Sequence, residues 1–135
     1  MAVLTWDDSM RVGVTDIDLQ HQELVRLIGS LNSAMADGSS HRVMQETLSR
    51  LVDYTRTHFA TEERLLERYG YAEIALHKAQ HEEFVAKVED FSRGFEEERL
   101  FLSLDVMDFL SDWLKGHIMG SDQRCAPFLH QHGVS

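Results

Sequence analysis

A single cysteine and a single proline in 135 residues remove two common devices for building a small protein. One cysteine cannot close a disulfide within its own chain, and thiol usage this sparse suits a reducing compartment. One proline and eight glycines leave few breaks in the backbone, which favours long helices. Basic residues are also short: 13 Lys and Arg against 23 Asp and Glu give a net charge of −10. Nucleic acids and anionic membrane surfaces attract basic proteins, so neither is an expected partner. No apolar run approaches the roughly 20 residues of a membrane-spanning helix. The opening MAVLTWDD lacks the basic-then-apolar character of a secretory leader. Together these absences set the expectation of a cytoplasmic protein without membrane insertion.

The residues that are present describe a helical domain. A hydrophobic content of 43% is ample for one packed core, and the length fits a single domain over 1–135. Residues 1–17 show no sustained periodicity and read as an extended arm. Asp16 or Asp18 suits the cap of a helix over about 18–37, where His21, Leu24, Leu27, Ile28, Leu31 and Met35 share one stripe. Gly38 suits its end. A second helix is expected over about 40–69, capped by Ser39 or Ser40 and closed at Gly70. A third, over about 72–95, carries Ile74, His77, His81, Phe84, Val88 and Phe91 on one side and ends in the acidic FEEER. The fourth, about 103–120, turns Val106, Leu110, Trp113, Leu114 and His117 inward. A tail over 121–135 completes the chain. Four such helices with short polar connections predict an all-α, antiparallel up-down-up-down bundle with an N-terminal arm and a short C-terminal tail.

Eight histidines are many for this length. Taken singly, an inward histidine is most simply a satisfied core residue. Here every predicted helix contributes at least one: His21, His58, His77 with His81, and His117. In an up-down bundle, the starts of the first and third helices share an end with the finishes of the second and fourth, so all five gather at one depth. Glu62 lies one turn beyond His58, and Asp122 follows His117 just past Gly120. Five imidazoles and two carboxylates exceed the four ligands of a usual zinc site. They suit two six-coordinate ions bridged by the carboxylates, with one position left over. A ligand set without thiolate fits iron or manganese, while zinc and copper also accept imidazole. Cys125 is not expected to be a ligand. The spacing excludes other templates: a HExxH protease would need a histidine at Val85, and no Glu-x-x-His of the ferritin-like enzymes occurs.

With these pieces in place, the chain resembles the hemerythrins, in their single-domain bacterial form. The matching segments are residues 5–28, HFATEE at 58–63, HKAQHEEF at 77–84 and WLKGHIMGSD at 113–122. The resemblance implies a four-helix bundle around a non-haem di-iron centre with an oxo or hydroxo bridge. It assigns His77, His81 and His117 to one coordinatively full iron, and His21 and His58 to the other, which keeps an open position. Glu62 and Asp122 become the bridging carboxylates. The implied function is reversible dioxygen binding for carriage, storage or delivery, which leaves room for an unidentified protein partner that receives the oxygen. No acid–base dyad is legible beyond the ligands, so no catalytic residues are expected, and no large apolar stripe is left over once the bundle is built, so a monomer is expected. Alternatives are an oxygen or redox sensor module, or a di-iron enzyme acting on peroxide or nitric oxide. Leu24, Phe59, Trp113, Leu114 and Ile118 are candidates for an apolar oxygen pocket, and each also serves as ordinary core. His41, His130 and His132 match no ligand position and are expected at the surface. The family often has a lysine after the aspartate and an aromatic two residues further on. Here Gln123 and Cys125 stand there, which leaves the packing of the tail open.

Overall fold

Four amphipathic stripes become four long helices in the computed structural model, which describes residues 4–97 and 104–135. Among the described residues there is no strand. Helix α1 spans Thr15–Ala36, α2 His41–Tyr69, α3 Ile74–Glu96 and α4 Leu104–Gly116; a π turn at His117–Asp122 leads into α5 at Gln123–Gln131. Helix α1 packs on α2 and α4, and α2 packs on α3. Helix α3 meets α4 through Phe84 stacked on Trp113, ring centres 3.9 Å apart. The neighbours run antiparallel, as the short connections between α1, α2 and α3 require. The expected start of the fourth helix near 103 and the acidic run through 98 and 99 lie outside the described residues.

The helix ends follow their local chemistry, with one exception. The Ser40 hydroxyl accepts the Val43 N–H at 3.3 Å and caps α2. Gly38 and Gly70, at φ +65 and +76, take the left-handed conformation that ends α1 and α2. The exception is the start of α1. It begins at Thr15 with no side-chain cap, so neither Asp16 nor Asp18 caps it. The Asp18 carboxylate instead folds back on the arm and accepts the N–H groups of Val12 at 2.8 Å and Gly13 at 3.2 Å. Those amides have no helical partner, and the carboxylate supplies one.

The C-terminal segment also departs from expectation. Residues 121–135 are not an irregular tail: the helix does not stop at Gly120 but widens into the π turn and continues as α5. Pro127 lies inside α5, where its ring forfeits one backbone hydrogen bond. Burial of Cys125, Ala126 and Leu129 on the same helix offsets that loss.

Two apolar clusters result. The larger fills the bundle and includes Leu24, Leu48, Phe59, Phe84, Leu110, Leu114 and Ile118, with Trp6 of the arm packed against it. The smaller is formed by Val12, Val14, Ile17, Leu66, Cys125, Ala126 and Leu129. On α1 the order along the chain is Ile17, His21, Leu24; on α2 it is Phe59, Glu62, Leu66. The polar residues therefore form a layer with hydrocarbon on both sides.

Candidate metal centre

Each of the seven predicted ligands is at most 4% exposed, and the structure brings all of them into that layer. Helices α1, α2 and α3 deliver His21, His58 with Glu62, and His77 with His81 by ordinary helical spacing. His117 and Asp122 need the π turn. Five residues at 100° each would place Asp122 about 140° around an α-helix from His117, whereas a π turn closes between i and i+5 and aligns the two.

The ligand atoms fall into two groups. One contains Glu62, His77, His81, His117 and Asp122; the other contains His21, His58, Glu62 and Asp122. The carboxylates divide their oxygens between them. Glu62 Oε1 lies 2.5 Å from His58 Nε2 and 3.3 Å from His21 Nε2, while its Oε2 lies 3.0 Å from His77 Nε2 and 3.5 Å from His81 Nε2. Asp122 Oδ2 lies 2.7 Å from His21 Nε2, and its Oδ1 lies 3.1 Å from His117 Nε2 and 3.2 Å from His77 Nε2. Every imidazole thus turns Nε2 inward.

These contacts are only in part hydrogen bonds: His21 Nε2 and His77 Nε2 meet Glu62 in hydrogen-bond geometry, and the others do not. His58 Nε2 and both Asp122 oxygens are buried and make no hydrogen bond, although each has a neighbour within hydrogen-bond distance. The distances are right and the directions are wrong, because the lone pairs aim into shared space. His81 Nε2 and His117 Nε2 face each other at 3.1 Å, so a cation or a proton must stand between them. Buried carboxylates and imidazoles in such a layer are costly without a cation. An imidazole–carboxylate set without thiolate fits a pair of ions such as iron.

The electrostatics agree. Burial opposes charge on His21, but contacts with Asp122 and Glu62 outweigh it and hold its pKa up at about 9. The same contest leaves His117 at about 10 and His77 at about 12. His58 goes the other way, because burial pushes it down more than Glu62 raises it. Burial and the Glu62 charge push Asp122 up, yet His117 and His21 hold it down at about 2. Glu62 also lies well below the usual carboxylate range: burial opposes this, and the charge on His58 with the other imidazoles overrides it.

The outward face of the layer holds residues the sequence did not single out. His58 Nδ1 donates to Gln20 Oε1 at 2.7 Å, and the Gln20 amide is oriented by Thr61 at 3.3 Å. His81 Nδ1 donates to Glu63 Oε2 at 2.9 Å. Such outer partners fix the tautomer that would present Nε2 to a metal ion. Gln20 and Glu63 adjoin His21 and Glu62 in sequence, which is the one signal that pointed to them. Aromatic rings hold the imidazole planes: Phe59 stacks on His81 at 3.8 Å, and Trp113 on His117 at 4.8 Å.

The five residues expected to line an oxygen pocket all lie on the bundle side of the ligand layer. Leu24, Phe59, Leu114 and Ile118 are buried there, with half-buried Trp113 packed against them. A groove of about 480 Å³ between α2 and α3, floored by Phe59 and Val85, reaches His81 and Glu63. His41, His130 and His132 lie in neither group of ligand atoms. They are exposed but not idle. His41 Nε2 donates to the Phe95 carbonyl at 2.7 Å, His130 Nε2 to the Gly13 carbonyl at 3.3 Å, and His132 stacks on Tyr69. No helix among the described residues is long and apolar enough to cross a membrane.

Comparison with known proteins points the same way. The family model of the hemerythrin HHE cation-binding domain matches residues 12–129. A bacteriohemerythrin of Stenotrophomonas maltophilia is 35% identical over 132 residues, covering 98% of this chain and 85% of that protein. One of Pseudomonas aeruginosa is 38% identical over 126 residues, covering 90% and 78%. A myohemerythrin of Riftia pachyptila is 32% identical over 117 residues, covering 87% and 86%. A crystal structure of wild-type hemerythrin superposes with a TM-score of 0.89 at 30% identity, covering 95% of this chain and 98% of that one.

Proposed function

The chain belongs to the hemerythrin HHE cation-binding family, and we propose that it binds dioxygen reversibly at a di-iron centre. The proposed ligands are His77, His81 and His117 on one iron, His21 and His58 on the other, and Glu62 and Asp122 between them. The iron pair, when bound, supplies the electrons that hold dioxygen reversibly. The protein supplies the rest. The observation that carries this reading is the convergence of five Nε2 atoms and four carboxylate oxygens on two adjacent points, without hydrogen-bond geometry at His58 and Asp122.

The two-histidine group has fewer protein donors than the three-histidine group, which supports placing the open position there. Gln20 and Glu63 hold the protons of His58 and His81 on Nδ1, leaving Nε2 free to ligate. Leu24, Phe59, Leu114 and Ile118 cover the centre on the bundle side, and Ile17 and Leu66 lie on the other side. This hydrocarbon keeps out water and small anions that compete for an open position. In this reading the protein is a carrier, store or delivery vehicle rather than an enzyme, because the buried polar groups of the layer are taken up as ligands or their outer partners. It is also read as a monomer. The large apolar side chains exposed among the described residues are Leu19, Val43, Leu76 and Met119, each on a different element.

The test is a visible spectrum of aerobically purified protein with iron counted on the same sample, repeated after anaerobic reduction and re-exposure to air. Two irons per chain and a colour that bleaches and returns are expected. Irreversible decay of the colour, or consumption of peroxide, would favour an enzyme. Absence of iron would overturn the reading.

A further inference from the structure

Three of the five inward imidazoles have a partner on the outer nitrogen, and each partner has a different chemistry. His58 has an amide oxygen, His81 a carboxylate, and His77 a thiol: Cys125 Sγ lies 3.6 Å from His77 Nδ1. The outer nitrogens of His21 and His117 are buried and unpartnered. Resting on the di-iron reading above, we propose that Cys125 is a positioning residue for the metal centre, its sulfur accepting the Nδ1–H of His77.

A neutral imidazole carries one proton on one of two nitrogens. With that proton on Nε2, His77 would aim an N–H at Glu62 Oε2 and Asp122 Oδ1, 3.0 and 3.2 Å away, and would have no lone pair for a metal. With it on Nδ1, the ring is a ligand, and a buried N–H then needs an acceptor. The buried residues clustered around Cys125 are otherwise Val12, Val14, Ile17, Leu66, Ala126 and Leu129, none of which has a polar side-chain atom, with half-buried Tyr69 and Tyr71 packed against them. Among the buried residues of this cluster the sulfur is the side-chain acceptor, and it lies 3.6 Å from the nitrogen. Tyr71 packs against the same cluster, which ties the thiol to the α2–α3 connection as well.

The geometry explains how the thiol arrives. Cys125 is three residues beyond Asp122, so the first turn of α5 carries both on one side. Asp122 enters the ligand layer, while Cys125 stands behind His77. A single segment, 117–125, thus contributes an imidazole, a carboxylate and a sulfur acceptor. Packing alone would be served as well by a valine.

That contrast supplies the test. Iron-loaded wild type, Cys125→Ser and Cys125→Val are challenged with an iron chelator, and the iron retained per chain is read with the visible absorption spectrum. Circular dichroism confirms that each variant is folded, and Cys125→Ala replaces valine if the larger side chain prevents folding. Loss of an outer partner typically weakens metal binding about 10- to 100-fold. Cys125→Val is therefore expected to lose one of its two irons about 10-fold or more readily and to shift the absorption band. Serine keeps an acceptor and is expected to stay near wild type. A packing role predicts the reverse order, since a hydroxyl suits an apolar cluster less well than a methyl pair. Valine holding iron as firmly as wild type, or more firmly than serine, would overturn the proposal while leaving the di-iron reading intact. Wild type without iron would overturn both.

Discussion

Protons and metal ions compete for the same nitrogens, and the structure sets the stoichiometry. In the metal-free chain the contacts with Glu62 and Asp122 hold the pKa values of His21, His77 and His117 up, at about 9, 12 and 10, which favours the imidazolium form of all three at pH 7. His58 is pushed down and contributes no proton. Ligation through Nε2 requires neutral imidazole, so metal uptake at pH 7 should expel about three protons per chain. The binding constant for filling both positions should then rise about 10³-fold per pH unit near neutrality, or about 4 kcal/mol. The stability of the metal-free fold has the opposite slope. A raised imidazole pKa contributes fully below the unfolded value of about 6.5, and that contribution is lost as pH climbs through 9 to 12. The depressed Asp122 contributes above its ordinary 3.8 and fails as pH falls through about 2. Metal-free protein should therefore be most stable between about pH 4 and 6.5, while loading tightens from pH 6.5 to 9. Calorimetry of anaerobic ferrous addition in two buffers of different ionisation enthalpy counts the protons released. Fewer than one proton per chain at pH 7 would refute the charge assignment, and with it the account of why the empty layer is tolerated.

Two substitutions test other links. Replacing His77 or His81 by alanine should lower iron below two per chain. His41→Ala should leave iron unchanged and cost about 1 kcal/mol of stability through the lost bond to the Phe95 carbonyl, read by urea unfolding. Equal iron loss at ligand and non-ligand positions would sink the ligand assignment. Gly13→Ala should destabilise by at least about 1 kcal/mol: φ is +79, and an added Cβ would lie 2.9 Å from the His130 ring. An unchanged urea midpoint would show that the arm is not held in this conformation.

The sequence was most informative where one period governs. The spacing of 3.6 residues put His21, His58, His77, His81 and His117 on apolar stripes, and antiparallel order put them at one depth. Asp122 was harder to place, because an i,i+5 pair has no α-helical rationale, and Gly120 looked like a stop. In fact Gly120 is not at positive φ, and the chain passes through it in a wider turn. Gln20, Glu63 and Cys125 were not legible as partners, since their role depends on which helix lies opposite and at what distance. The non-ligand histidines show the same limit. His41 and His130 join residues 54 and 117 positions apart, and no local pattern encodes such pairs.

The position of the layer explains why it favours cations. Glu62 and Asp122 are 2% and 4% exposed and have hydrocarbon above and below. An uncompensated carboxylate there costs several kcal/mol. The raised pKa values of His21, His77 and His117 favour protons that offset the two negative charges, and on the proposed reading metal ions would take over that role. The apolar clusters thus act on both states. They would make a metal-free centre dependent on protons, and they would exclude the water that competes for a filled one. Cutting Phe59 or Leu66 back to alanine would admit water to one side of the layer, so it should loosen metal retention as well as the core.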